Sequence, residues 1–449
     1  MIVRAIPQVG AAKHFQPPRF ERQVLPNGLQ LFLVHKPNLP VFDLQMISSG
    51  GALLDPLEKT GRASMAAEVL DEGTANHSAL ELSAELEQLG AELAVYASWD
   101  ATFVGMHALT PQFPRLLDLL AEVVLQPTFP PEEFTRKREE RLNTLLQERD
   151  EPRTVAGKSL QRTVFGNKHP FGWPIAGTTA TIEALDRSDV ADFYGLGFAP
   201  RTSCFVLAGD IETADSVRAF TDRFGYWQNP PATQPSLPPA PDRTRSIYLV
   251  DRPEAAQSEV RIGHVGVPRH APDYFALLVL NTILGGSFKS RLNMRLREEK
   301  GFTYGASSAF TFRRLGGFFS GGAAVFTNAT AEAVSICVEE VERIRDEDVS
   351  AEELDRARNY LSIGFARRFE TTSDLVTQLA EIALYGLQDD YLSTYAQRIS
   401  AVTVEEVRRA AQQHLRPAEL SIVVVGKGSE IRKPLSELQL GPVVDWMAE

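Results

Sequence analysis

Two cysteines, Cys204 and Cys337, are all that the 449 residues contain. A disulfide framework is therefore excluded, and no Cys-x-x-Cys pair offers thiolates to a metal. Nowhere do about eighteen apolar residues follow one another, so no membrane-spanning helix and no membrane partner are expected. An excess of basic residues is missing too. With 46 Lys+Arg against 58 Asp+Glu, the formal charge of −12 has the wrong sign for a phosphate backbone, and no nucleic-acid partner is expected. Residues 1–20 carry Arg4 and Lys13 but no apolar stretch of signal-peptide length. That predicts a cytoplasmic location, or a periplasmic one had a leader been removed. Histidine is sparse: the eight residues are His14, His35, His77, His107, His169, His264, His270 and His414. No two are separated by two, three or four positions, so no helix carries a His pair on one face. His264 and His270, six apart across Pro268, read as surface or packing residues. No Gly-x-Ser-x-Gly elbow occurs and neither cysteine has a histidine beside it, which speaks against a stand-alone serine or cysteine hydrolase.

What is present is an ordinary globular balance, 43% hydrophobic and 23% charged, in a chain too long for one core. Prolines at 230, 231, 235, 238, 239 and 241 exclude helix and inner strand and mark a linker at 229–242. It divides an N-terminal domain, 1–228, from a C-terminal domain, 243–449. The two sides repeat one another. Pro131-Glu132-Glu133-Phe134 with Arg136 and Arg138 matches Ala351-Glu352-Glu353-Leu354 with Arg356 and Arg358 at an offset of 220. Val190, Pro200 and Gly209 match Val407, Pro417 and Gly426 at an offset of 217. In both places a helix leads through proline into an apolar strand, Ser203–Ala208 and Leu420–Val425. Alternation and turn signals predict strands at Leu29–His35 and Phe42–Ser48 and a strand pair over 91–106. Helices are predicted at Gly61–Glu72, Ser78–Leu89 with Ser78 as cap, Leu116–Leu125 and Pro131–Glu148. Helices segregated onto locally connected strands make this an α+β chain.

Gly61-Arg62-Ala63-Ser64-Met65-Ala66-Ala67-Glu68, running on to Gly73-Thr74, resembles the helix Gly-x-Ala-His-Phe-Leu-Glu-His-Met-x-Phe-x-Gly-Thr of the pitrilysin-like (M16) zinc peptidases. The flanks are retained and the chemistry is not. Ser64 and Glu68 stand where the family has its two histidine ligands, and Ala67 where it has the glutamate base. The third ligand of the family, a Glu seven residues after a Glu-Arg pair, falls on Gln147, counting from Glu140-Arg141. No metal is expected in this chain. The second half differs. Leu284-Gly285-Gly286-Ser287-Phe288-Lys289-Ser290-Arg291-Leu292, followed by Leu296-Arg297-Glu298 and Gly301 to Tyr304, is similar to the family's C-terminal signature.

The resemblance implies two homologous pitrilysin-like domains, each a mostly antiparallel sheet with helices on one side. By resemblance, Arg297 and Tyr304 reach a zinc centre held by another subunit, with Gly285, Gly286, Ser287 and Phe288 beside the cavity. The strand around Tyr96, Ala97 and Ser98 would pair with substrate backbone at a cleft edge. A phenol can donate to the oxyanion that develops in peptide hydrolysis, and a guanidinium can hold a carbonyl; neither activates water. The expected partners are a zinc-bearing homologue, in a heterodimer, and a peptide substrate. An inactive structural or peptide-binding homologue, without a peptidase partner, is the alternative. Taken alone, Arg297 would be part of a solvated helix end and Tyr304 an ordinary strand aromatic.

Overall fold

The computed structural model describes residues 15–231 and 235–447. Most of the leader reading at 1–20 and residues 232–234 of the linker reading lie outside the described residues. The first half begins with β1 (Glu21–Val24), β2 (Gln30–His35) and β3 (Val41–Ser48). It continues through α1 (Arg62–Glu68), α2 (Ala79–Gln88), β4 (Glu92–Ala97), β5 (Thr102–Leu109), α3 (Phe113–Leu125) and α4 (Pro131–Glu148). It closes with α5 (Pro152–Phe165), α6 (Thr179–Ala184), α7 (Arg187–Gly197), β6 (Ser203–Gly209) and α8 (Thr213–Phe224). The second half opens with β7 (Ser246–Asp251), β8 (Gln257–Gly266), α9 (Tyr274–Leu284) and α10 (Arg291–Asn293), which runs into a π-helical turn, Met294–Glu299. Next come β9 (Ala306–Phe312), β10 (Gly317–Phe326), α11 (Thr330–Asp346), α12 (Ala351–Gly364) and α13 (Thr372–Tyr385). The last elements are α14 (Tyr391–Ala401), α15 (Val404–His414), β11 (Ser421–Gly426), α16 (Gly428–Glu437) and β12 (Val443–Asp445).

The repeat seen in the sequence is a repeat of topology. The two six-stranded sheets have the orders β1-β2-β6-β3-β5-β4 and β12-β7-β11-β8-β10-β9. In each, a parallel pair (β2 with β6, β7 with β11) continues into antiparallel strands on one side, while its outer neighbour is antiparallel in the first sheet (β1) and parallel in the second (β12). Only the outermost strand differs, supplied from the N-terminal side as β1 and from the C-terminal side as β12.

Strands buried on both faces need two covers, and the halves provide the second one for each other. In β2, Leu31 and Leu33 join the core of the first half, whereas Phe32 and Val34 join the core dominated by the second. Helix α13 packs across β3 and β6, and α5 packs across β8 and β11. Each sheet therefore carries a helix that belongs to the other half. Each fully buried aliphatic or aromatic side chain on these faces contributes about 2 kcal/mol. Polar contacts reinforce the exchange: the Thr372 hydroxyl donates to the buried Asp43 carboxylate, and Lys36 Nζ donates to the Glu370 carbonyl at 2.7 Å. The predicted separation into two domains on a linker thus leaves out an interlock. The proline-rich stretch forms no helix or strand among its described residues.

Helix α1 is shorter than the predicted Gly61–Glu72. It ends at Glu68 because the following turn carries Glu72 to Arg136 and Lys137 on α4, both at 2.6 Å, and Thr74 into a bridge with Pro127. Those contacts outweigh four more residues of helix.

Candidate functional site

Two places carry the candidate residues, and they occupy the same topological slot in the two halves: the α1–α2 stretch before edge strand β4, and the α9–α10 stretch before edge strand β9.

In the first slot, Asp55 fixes the start of α1, accepting backbone N–H from Ala63 at 3.0 Å and Gly61 at 3.2 Å. Ser64, Ala67 and Glu68 then face α4, with Ala67 fully buried. Between Ser64 and Glu68 sits a guanidinium: Arg141 of α4 donates to Ser64 Oγ at 3.0 Å and forms an ion pair with Glu68. Burial pulls the Arg141 pKa below its ordinary value, and the nearby Glu148 pulls it back. The side chain remains a cation.

Gln147 does not join this group; it is exposed on the outer side of α4. Seven residues advance a helix by about 700°, so Glu148 lies only about 20° from the line of Arg141, whereas Gln147 lies about 120° away. Glu148 is paired with Lys158 at 2.6 Å. These residues do not fit zinc. One hydroxyl and one carboxylate are already taken by a fixed cation, and no group of three His, Cys, Asp or Glu is placed to hold a metal among the described residues. The sequence alone gave no sign of Arg141's role, since nothing in it says which side of α4 meets α1.

The second slot is built on fixed anchors. Arg291 makes a bidentate pair with Glu353 at 2.7 and 3.0 Å. Burial opposes ionisation of Glu353, but Arg291 and Ser350 override it and hold the carboxyl down at about 2. Arg295 reaches Glu339 at 3.0 Å and the buried Glu340 at 2.9 Å. Asn293 ties the loop together, donating to the Phe288 carbonyl at 2.7 Å and accepting from Ala306 N at 3.1 Å. Gly285 is needed for close approach, since a Cβ there would lie 2.3 Å from the Ser308 nitrogen on β9. Ser287 Oγ is turned inward, donating to the Thr282 carbonyl at 3.0 Å.

Arg297 differs from its two neighbours. Among the described residues it has no buried partner; Glu298 lies next to it at 3.3 Å, and the ring centroid of Phe288 is 4.8 Å from its Cζ. It also sits in the π-helical turn, a rare conformation common at functional sites. Phe288 is 59% exposed and Tyr304 87%. Tyr304 lies in a bend before β9, not in a strand as its neighbourhood suggests. Among the described residues no hydrogen bond or ring contact joins Tyr304 to Arg297, and none joins this slot to Ser64 and Glu68.

Strand β4 is the terminal strand of its sheet, as β9 is of the other. Tyr96 stacks on Phe103 at 4.8 Å, and its hydroxyl accepts from Gln45 Nε2 at 3.3 Å. Ala97 ends the strand, and Ser98 closes the turn after it by accepting from the nitrogens of Asp100 and Ala101 at 3.2 and 3.1 Å. His264, far from either slot, is buried against Phe319, so the packing reading holds and the surface one does not. Both thiols are buried, and burial pushes each up to about 12, which leaves no reactive cysteine.

Two family descriptions match the chain: Insulinase (Peptidase family M16) over residues 32–179 and Peptidase M16 inactive domain over 184–361. Among curated proteins, an uncharacterized zinc protease of Streptomyces coelicolor is 26% identical over 414 residues, 90% of this chain and 89% of that one. A protein of Helicobacter pylori named a non-peptidase homolog is 22% identical over 392 residues, 86% of this chain and 89% of that one. Among solved structures, a peptidase M16 inactive domain from Pseudomonas fluorescens superposes with a TM-score of 0.84 at 25% identity, covering 91% of this chain and 98% of that one. With its duplicated α+β halves, altered zinc-motif positions and preserved second-half signature, the chain belongs to peptidase family M16.

Proposed function

We propose that this chain is the non-metal subunit of a two-subunit zinc peptidase, closing with a zinc-bearing M16 homologue around a chamber that admits short or unfolded peptides. The observation that carries this is the contrast between the two slots. Arg141 fills the space between Ser64 and Glu68 with a positive charge, whereas Phe288 and Tyr304 stand exposed beside a half-buried Arg297 on a rigid frame, with little work to do inside their own chain among the described residues. Zinc held by the partner would supply the hydrolytic chemistry. Here Tyr304 donates its phenolic proton to the oxygen of the scissile carbonyl as charge develops there, and Arg297 holds a neighbouring substrate carbonyl. The open edges of β4 and β9 offer backbone groups to an extended peptide with little side-chain selectivity. Because the two slots are topologically equivalent, a partner of the same fold can present its metal helix to this chain's second slot through a pseudo-symmetric interface.

The test is reconstitution with a homologue from the same cell that has an intact His-x-x-Glu-His helix. The chain alone should cleave nothing. The pair should cleave peptides, lose activity to a chelator, and fall sharply on Arg297→Ala or Tyr304→Phe. A pair with undiminished turnover in both variants refutes the proposal. A second reading, an inactive structural or peptide-binding protein without a peptidase partner, is favoured by the name of the Helicobacter pylori relative. It predicts peptide binding but no activity with any such homologue.

A further inference from the structure

Away from both slots, a cavity of about 700 Å³ opens where the halves meet, between the end of α4, α5, the loop into α6, and the β7–β12 edge. That volume suits a small organic ligand, and the lining is mostly apolar. A cation–π contact and an aromatic pair wall it: Trp173 with the Arg162 guanidinium over its ring at 3.6 Å, and Tyr248 in edge contact with Trp446 at 5.3 Å.

Its charge is unexpected. The chain carries −12 overall, yet among the described residues the lining holds the cationic side chains Arg149, Lys158 and Arg243, besides Arg162 over Trp173, and the carboxylate Glu148. That carboxylate is taken by Lys158 at 2.6 Å. Arg149 and Arg243 make no ion pair among the described residues. Arg149 donates to the Thr179 hydroxyl at 3.1 Å, and Arg243 Nε to the Val164 carbonyl in the last turn of α5 at 3.3 Å. A side chain on Gly166 would come within 3.1 Å of Arg243 Nη2, and its φ of +74° is one that glycine tolerates, so the backbone leaves room for this guanidinium. Arg149 and Arg243, answered by neutral acceptors among the described residues and set beside an apolar chamber, match a ligand with an anionic head on an apolar body.

We propose that this cavity binds an amphipathic carboxylate, its head between Arg243 and Arg149 and its body against Trp173 and Trp446. Two sources share that chemistry, a fatty-acid-like molecule and the free C-terminus of a short apolar peptide, and the competitors below distinguish them. The site stands independently of the proposed peptidase pairing.

The test uses the full chain and the fluorescent anion 8-anilinonaphthalene-1-sulfonate, read by energy transfer from tryptophan. Binding should saturate at one probe per chain. Decanoate, or an acetylated apolar dipeptide with a free carboxylate, should displace it; decanol and the dipeptide amide should not. Arg243→Gln should weaken binding about ten-fold or more, and so should Arg149→Gln at an exposed position where folding is not at stake. Displacement by the neutral analogues as readily as by the acids, or unchanged affinity in the Arg149 variant, overturns the proposal.

Discussion

Replacing Arg141 with alanine tests whether a guanidinium has taken over the place of a metal in joining α1 to α4. The side chain of Arg141 is 13% exposed and that of Glu68 32%. Removing one partner of a fully buried ion pair costs about 3–5 kcal/mol, whereas exposed pairs are worth under about 1 kcal/mol. With Glu68 one-third exposed, the loss should be about 2 kcal/mol, and the lost bond to Ser64 adds roughly 0.5–1 kcal/mol. Glu68→Ala should cost less, about 1 kcal/mol, because Glu148 remains close enough to pull on the charge of Arg141. The double variant should therefore lose less than the sum, with a coupling of about 1–2 kcal/mol in a cycle of urea denaturations followed by circular dichroism. Additivity within about 0.3 kcal/mol would refute the claim that these side chains form one unit.

Four further outcomes follow from the structure. Ser64→His, Ala67→Glu and Glu68→His together should not restore stoichiometric zinc while Arg141 remains, whereas adding Arg141→Ala should raise zinc affinity about ten-fold or more with Glu148 available as third ligand, as read by metal analysis. Burial pulls the His264 pKa from 6.5 to about 4 in the folded chain. The unfolded chain then binds the extra proton, so stability present above pH 6.5 is lost as pH falls toward 4, by up to about 3 kcal/mol; a variant with Phe at 264 should lack that part of the acid sensitivity in thermal melts. Thr372→Val should cost about 1–2 kcal/mol by removing a hydrogen bond from the buried Asp43, and residues 1–228 and 243–449 expressed apart should fold only when mixed, as seen by gel filtration.

Much of the fold could be read from local signals. Helix α4 spans the predicted Pro131–Glu148 because proline at its first position and acidic residues in its first turn are strong start signals. Ser78 caps α2 through a capping box with Glu81, as its spacing suggested. Position in space was less legible. Nothing in the sequences of α5 and α13 says that each lies on the other half's sheet. For the same reason a seven-residue count chose Gln147, whereas the side chain that meets Ser64 and Glu68 is Arg141; only the packing of α4 against α1 decides which face looks inward. Arg297 and Tyr304 could be found only through a matched signature. The structure adds that Arg291 and Arg295 in the same charged run are anchors and Arg297 is not.

The most direct test of the account is the turnover of a reconstituted pair containing Tyr304→Phe. Tyr304 is 87% exposed and its side chain makes no hydrogen bond or ring contact among the described residues, so the melting temperature of the chain and the zinc content of the pair should not change. Loss of one oxyanion donor should lower kcat by about 100-fold or more with little change in KM. Unchanged kcat in a pair that assembles, retains zinc and cleaves peptide would contradict the assignment of this chain as the donor of Tyr304.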